Sequence, residues 1–203
     1  MLIRGDYPDP KPFWARGAKL NEYGVNAVFV HSGAINDELI RRARAEGCRV
    51  FAEFATLNGG YKDYVTKHPD AHPIDDEGNL ARKATWFMGV CPTHRGFRDY
   101  RMAALRELLA KYDVDGVWMD YLHWHAQFED PKPILPETCF CERCLSRFQA
   151  ASNIRIPEGP TTKKAEWILQ NQDSTWRKWR CSVITDWVRD FKMILNQEKP
   201  GAL

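Results

Sequence analysis

Residues 112–125 read Tyr112-Asp113-Val114-Asp115-Gly116-Val117-Trp118-Met119-Asp120-Tyr121-Leu122-His123-Trp124-His125, a short apolar run that ends in an acidic and aromatic cluster. The span 115–120 has the length and the β-branched and aromatic content of a strand covered by helices, and a helix-patterned segment, 97–112, precedes it. Asp120 then falls at the strand's carboxyl end. Sheets made of βα units collect ligands and catalytic groups at that end, so Asp120, followed by Tyr121, His123 and Trp124, is the leading candidate for chemistry. A capping role for the same aspartate is equally compatible with this stretch alone.

Moving outward, strand and helix patterns alternate. A brief apolar start at 2–5 reads as a first strand, and 13–23 has helical apolar spacing closed by Gly24. A second strand is expected at 26–32 and a third at 49–55. Between them Asn36 can cap a helix over 37–46. Such an order implies a parallel sheet, either doubly wound or a (β/α)8 barrel. No G-x-G-x-x-G or phosphate loop follows any strand, which argues against a nucleotide-binding open sheet. His31 ends the second strand and Glu53 lies in the third, so both are candidates for the rim that holds Asp120.

Two excursions interrupt the alternation. The first, 57–90, is rich in Gly, Pro, Asp and His and carries Tyr61, Tyr64, Trp86 and Phe87; loops this long in compact domains are usually functional. The second, 127–144, brings Cys139, Cys141 and Cys144 to the start of a helix. That crowding favours a metal over disulfides, because one pair is separated by a single residue and the chain is not a small secreted scaffold. A Cys139–Cys144 or Cys91–Cys141 disulfide, or free thiols, are the competing readings. A loop at 153–160 precedes a long amphipathic helix that begins at Asp173 or Ser174.

Composition narrows the partners. The chain has 203 residues, 44% hydrophobic and 28% charged, which suits a globular domain. Its 29 basic and 27 acidic residues give a net charge of +2 with no basic block, so neither nucleic acid nor an anionic membrane is an expected partner. No apolar run approaches the roughly 20 residues of a membrane span, and the N-terminus has too few apolar residues for a signal peptide. A cytoplasmic location is expected.

Four motifs carry a resemblance. GDYPDPKPFW (5–14), HPDAHPIDDEG (68–78), CPTHRGFRDY (91–100) and CFCERCLSRF (139–148) resemble, in order, segments from the N-terminal half of the barrel of family 42 glycoside hydrolases, the β-galactosidases. Related uncharacterised glycosidase-like barrels share them. The resemblance implies a (β/α)8 TIM barrel present as its first half, β1–α4, with long rim loops, over residues 1–203. It also implies a structural Zn2+ held by Cys91, Cys139, Cys141 and Cys144. Family 42 ends the fourth strand with Asp-Asn-Glu, the Glu being the acid/base, whereas this chain has Asp120-Tyr121-Leu122. The order VWMDY is closer to retaining enzymes such as α-fucosidases, whose W-x-D strand ends in an aspartate nucleophile.

The resulting expectation is O-glycosyl hydrolysis with Asp120 as nucleophile and His31, Glu53, Tyr121, His123 and Trp124 lining a carbohydrate subsite. The partner carboxylate is expected outside these residues, since four strands make half a barrel. The 203-residue chain alone is therefore expected to be inactive, with open strand edges that a homo-oligomer would close. The alternative is a non-catalytic carbohydrate-binding barrel fragment.

Overall fold

The computed structural model describes residues 3, 5–84, 87–128 and 131–203. In chain order the elements are strand β1 (Asp6–Tyr7), helix α1 (Lys11–Ala15), a 3-10 turn (Leu20–Tyr23), β2 (Ala27–His31), α2 (Asp37–Ala45), β3 (Arg49–Ala55), β4 (Asn58–Gly59), α3 (Lys62–Lys67) and a second 3-10 turn (Pro69–Ala71). They continue with β5 (Met88–Gly89), α4 (Arg95–Lys111), β6 (Gly116–Asp120), α5 (Glu142–Ser152), α6 (Thr161–Asn171) and α7 (Asp173–Glu198). Strands β1, β2, β3 and β6 form a parallel sheet in that order, as the alternation predicts, and among the described residues this sheet does not close into a barrel.

Two expected elements shift, and one observed element was not expected. The first strand is Asp6–Tyr7 rather than 2–5, a span of which residues 2 and 4 lie outside the described residues. The helix expected over 13–23 is broken at Gly17, whose φ of 74° ends α1 and leaves a 3-10 turn before Gly24. Helix α6 has no counterpart in the sequence reading. It starts after Pro160 without a side-chain cap and buries only Ala165 and Ile168, which is too sparse a stripe to register as a period. Trp86 lies outside the described residues.

The chain forms two compact units, residues 1–55, 101–120 and 191–203 in the first, 56–100 and 121–190 in the second. In the first unit, side chains alternate across the sheet. Val28, Val30, Val50, Ala52 and Phe54 are at most 3% exposed on one face. Leu39, Ile40 and Ala43 of α2 are buried, and Phe191 of α7 meets Phe54 edge-on at 5.7 Å. Helix α2 forms where expected: the Asn36 side chain accepts from the Leu39 N–H at 2.9 Å, acidic residues open it and Arg42 and Arg44 close it, all complementing the helix dipole. Beyond β6, the Leu203 N–H donates to Asp115 O at 3.1 Å and Val117 N–H donates to Leu203 O at 2.9 Å. Gly116 permits this approach, because a Cβ there would lie 2.3 Å from Leu203 O.

At the amino end of β6, Asp113 accepts hydrogen bonds from Arg44 and Lys199. The Arg44 hydrogen bond, then the Lys199 one, hold the Asp113 carboxyl down to about 2. A depressed carboxylate stabilises the fold above its unfolded value, and that contribution is lost as pH falls from about 4 toward 2. The side chain is 68% exposed, so solvent screening limits the effect to about 1 kcal/mol or less. Urea unfolding of Asp113→Asn should show a small loss of midpoint at pH 7 and convergence with the wild type in acid.

In the second unit, β4 and β5 pair antiparallel, with Asn58 opposite Gly89. The first excursion is therefore an ordered loop rather than a patternless one. His125, 1% exposed, accepts from the Gly89 N–H at 3.1 Å and donates from Nε2 to Arg82 O at 2.6 Å. Burial pushes its pKa down and keeps the ring neutral. A Cβ at Gly89 would lie 2.4 Å from both Asn58 Oδ1 and His125 Nδ1, so only glycine fits. The second excursion is anchored on α7: Phe140 stacks on Trp176 at 5.0 Å, Phe148 meets Trp176 edge-on at 5.0 Å, and the Trp187 indole N–H donates to Pro92 O at 2.8 Å.

Candidate functional site

In the first unit, strand register brings His31, Glu53 and Asp120 to one face. His31 lies opposite Glu53, Glu53 opposite Trp118, and Ala55 opposite Asp120. Because in-register residues of a parallel sheet share a face and side chains alternate, Phe29, His31, Phe51, Glu53, Trp118 and Asp120 all project the same way. Phe29 stacks on Phe51 at 4.7 Å and meets Trp118 edge-on at 5.5 Å. Trp118 is 53% exposed within this group and His31 is exposed, whereas the opposite face is covered. The result is an aromatic surface that leads, along the strands, to an imidazole and two carboxyls.

Glu53 and Asp120 lie diagonal to each other on this face, on neighbouring strands. Burial pushes the Glu53 carboxyl above its ordinary range, the charge and hydrogen bond of Asp120 push it further, and His31 opposes them. His31 Nδ1 accepts from the Gly33 N–H at 3.2 Å, so a neutral ring carries its proton on Nε2. The sequence reading placed Glu53 on the rim, and the register sets it diagonal to Asp120. Trp118 and Phe29, on the same face, were accessible from strict alternation back from Asp120 and His31.

Tyr121, His123 and Trp124 belong to the second unit. Tyr121 takes a left-handed conformation with φ of 52°, uncommon for an aromatic residue and a form of stored strain. Its carbonyl accepts from Leu57 N–H at 3.2 Å and from Asn58 Nδ2 at 3.3 Å. His123 donates from Nδ1 to Trp124 O at 2.7 Å and meets the exposed Phe128 edge-on at 5.1 Å. Trp124 is 8% exposed, packed on Trp179 at 5.9 Å under the Arg180 guanidinium at 4.9 Å. A groove of about 500 Å³ is lined by Leu122, His123, Trp124, Arg180 and Ile184. Trp124 therefore contributes an edge to this groove rather than a free stacking face.

The second unit also gathers Cys91, Cys139, Cys141 and Cys144, whose sulfurs all lie within 4.8 Å of one another. Cys91 Sγ is 3.5 Å from Cys144 Sγ and 3.8 Å from Cys141 Sγ, and none of the four forms a disulfide. Sulfurs at the corners of a tetrahedron 2.3 Å from zinc would be about 3.8 Å apart, so the spacing fits that ion. Cys91, Cys139 and Cys144 are buried. Hydrogen bonds from Cys139, then from Cys141 and Cys144, push the Cys91 thiol well down. The Ile74 N–H donates to Cys139 Sγ at 3.3 Å. Thr93 Oγ1 lies 3.2 Å from Cys91 Sγ and accepts from Arg143 Nε at 3.3 Å, while Arg143 and His94 both reach the Asp70 carboxylate. Thr93, Arg143 and Asp70 were not found in the sequence reading, since their role depends on contacts across 24 to 73 residues.

No protein-family model and no curated protein sequence matches the chain. Solved structures do. A β-galactosidase from Bacillus circulans sp. alkalophilus matches with a TM-score of 0.61 at 16% identity, over 98% of this chain and 35% of that one. The β-galactosidase from the psychrophilic Marinomonas ef1 matches with a TM-score of 0.63 at 16% identity, over 96% and 35%. That from Rahnella sp. R3 matches with a TM-score of 0.62 at 14% identity, over 97% and 34%. The chain thus spans about a third of the length of these enzymes and has the fold of that part of them. Among the described residues, no helix is long and apolar enough to cross a membrane.

Proposed function

We propose that the chain is the N-terminal half of a glycoside hydrolase barrel, in which Asp120 is the nucleophile toward a carbohydrate. The observation that supports this most is the position of Asp120, at the carboxyl end of a parallel strand and on the same face as Glu53, His31 and the half-exposed Trp118. In the reaction, an ionised Asp120 oxygen attacks the anomeric carbon and the bond to the departing oxygen breaks. That oxygen takes its proton from an acid outside these 203 residues, which is the division of labour a retaining pair requires. His31 offers an Nε2–H to a sugar hydroxyl, and Trp118 offers an apolar face to the ring.

Cys91, Cys139, Cys141 and Cys144 would hold one zinc. With all four positions taken by thiolates, its chemistry would be structural, neutralising the sulfurs and joining the two excursions. The reading is tested on the full-length gene product with a panel of 2-deoxy-2-fluoroglycosyl fluorides. A mass adduct on the peptide that contains Asp120 is expected. An adduct that maps to another carboxylate overturns the assignment, and sugar binding without any adduct or hydrolysis favours the carbohydrate-binding alternative.

A further inference from the structure

Thr93 and Arg143 stand immediately outside the four cysteines of the second unit, each supplied by a segment that also carries a candidate ligand. Thr93 follows Cys91 by two residues, and Arg143, in the first turn of α5, lies between Cys141 and Cys144. Thr93 is 3% exposed, and its Oγ1 is 3.2 Å from Cys91 Sγ and 3.3 Å from Cys144 Sγ. The Arg143 Nε–H donates to the same oxygen at 3.3 Å. Because that oxygen accepts from the guanidinium, its own hydroxyl proton is left for sulfur, and a metal-bound thiolate can only accept.

Arg143 is itself held. Its Nη1 donates to Asp70 Oδ2 at 3.2 Å and its Nη2 to Asp70 O at 2.6 Å. The Phe97 N–H donates to His94 Nδ1 at 2.9 Å, which leaves a neutral ring's proton on Nε2, 3.0 Å from the same Asp70 oxygen. The bonds thus run from Phe97 through His94, Asp70 and Arg143 to Thr93. Separately, the Ile74 N–H donates to Cys139 Sγ at 3.3 Å. Each of the three buried sulfurs therefore has a donor within reach, whereas among the described residues no N–H or O–H group reaches Cys141, the partly exposed one. Donors stand where water cannot serve, which is what the negative charge of a buried set of thiolates requires.

On the reading of the four cysteines as a zinc site, we propose that Thr93, oriented by Arg143, donates its hydroxyl proton to the Cys91 or Cys144 thiolate and thereby sets how tightly the site holds zinc. Such a hydrogen bond draws charge off the sulfur without displacing a ligand. Arg143 fixes the Thr93 oxygen and acts through it, so both are positioning residues and neither is a ligand.

The zinc affinity of the 203-residue chain is read by competition with a chelator of known strength, and the cobalt(II)-loaded chain gives the thiolate-to-metal charge-transfer band. Thr93→Val is close in shape and removes the donor. It should weaken zinc binding about 10–100-fold and move the cobalt band to lower energy, because a thiolate without its donor holds its electrons less tightly. Thr93→Ser, which keeps the hydroxyl, should recover most of both changes. Arg143→Met, at a side chain 30% exposed, should weaken binding and shift the band in the same direction, and should do much less in the Thr93→Val background. It carries the test alone if Thr93→Val does not fold, and unchanged affinity then overturns the proposal. Equal losses from Arg143→Met in the two backgrounds, or affinity in Thr93→Val within about twofold of wild type, also overturn it. So does weakened affinity with an unmoved band, or a Thr93→Ser variant as impaired as Thr93→Val, since either marks a packing role. A wild type that binds neither zinc nor cobalt removes the zinc reading itself, and the donor role falls with it.

Discussion

Protein purified without chelator is expected to carry one zinc per chain by native mass spectrometry, and to lose it in Cys144→Ser. The four sulfurs already stand at the separations of a tetrahedral thiolate site, and Cys144 is buried, so a serine there leaves only three thiolate ligands. Zinc sites of this kind contribute about 10–16 kcal/mol of binding free energy in small peptides, and even half of that is comparable to the lower part of a typical domain's stability of about 5–15 kcal/mol. The cysteines join the segment 88–94 to the start of helix α5, beside Phe140, Phe148 and the indoles of α7. Thermal unfolding of Cys144→Ser, or of wild type treated with a strong chelator, should fall by roughly 10–20 °C at this chain length. A metal-free protein two hydrogens lighter than its reduced mass would show a disulfide instead and overturn the site.

Asp120→Ala in the full-length gene product is expected to lower aryl glycoside turnover on the order of 10⁴–10⁶-fold, the scale on which loss of a covalent nucleophile acts. Because the departing group's proton comes from another residue, an external anion can replace the missing carboxylate. Sodium azide should therefore restore part of the activity and yield a glycosyl azide of opposite anomeric configuration. Turnover within tenfold of wild type would remove Asp120 from the mechanism. Its neighbour Tyr121 sharpens the comparison: its strained backbone is fixed by Leu57 and Asn58, so a change at Asp120 has little freedom to be absorbed by the following turn.

Much of the sheet was legible because its signals are local. The β-branched and aromatic runs at 26–32, 49–55 and 115–120 match β2, β3 and β6 to within a residue or so, and the Asn36 cap marks α2. Short or weakly patterned elements were not legible. Strand β1 is only two residues long, too short to register a period, and α6 carries only two buried positions. The excursion 57–90 shows no period of its own, yet it is ordered by His125 and Asn58, residues whose hydrogen bonds span 36 and 63 positions.

The sequence by itself determined the parallel alternation, the placement of Asp120 at a strand tip and the crowding of three cysteines, each a property of residues adjacent in the chain. Only the tertiary structure decided which groups face one another. It set the diagonal register that puts Glu53 and Asp120 on one face and the approach of Cys91 to Cys144 across 53 residues. The reason is that register follows from side-chain packing and backbone hydrogen bonding between separate segments, and a one-residue slip in β3 would turn Glu53 to the opposite face.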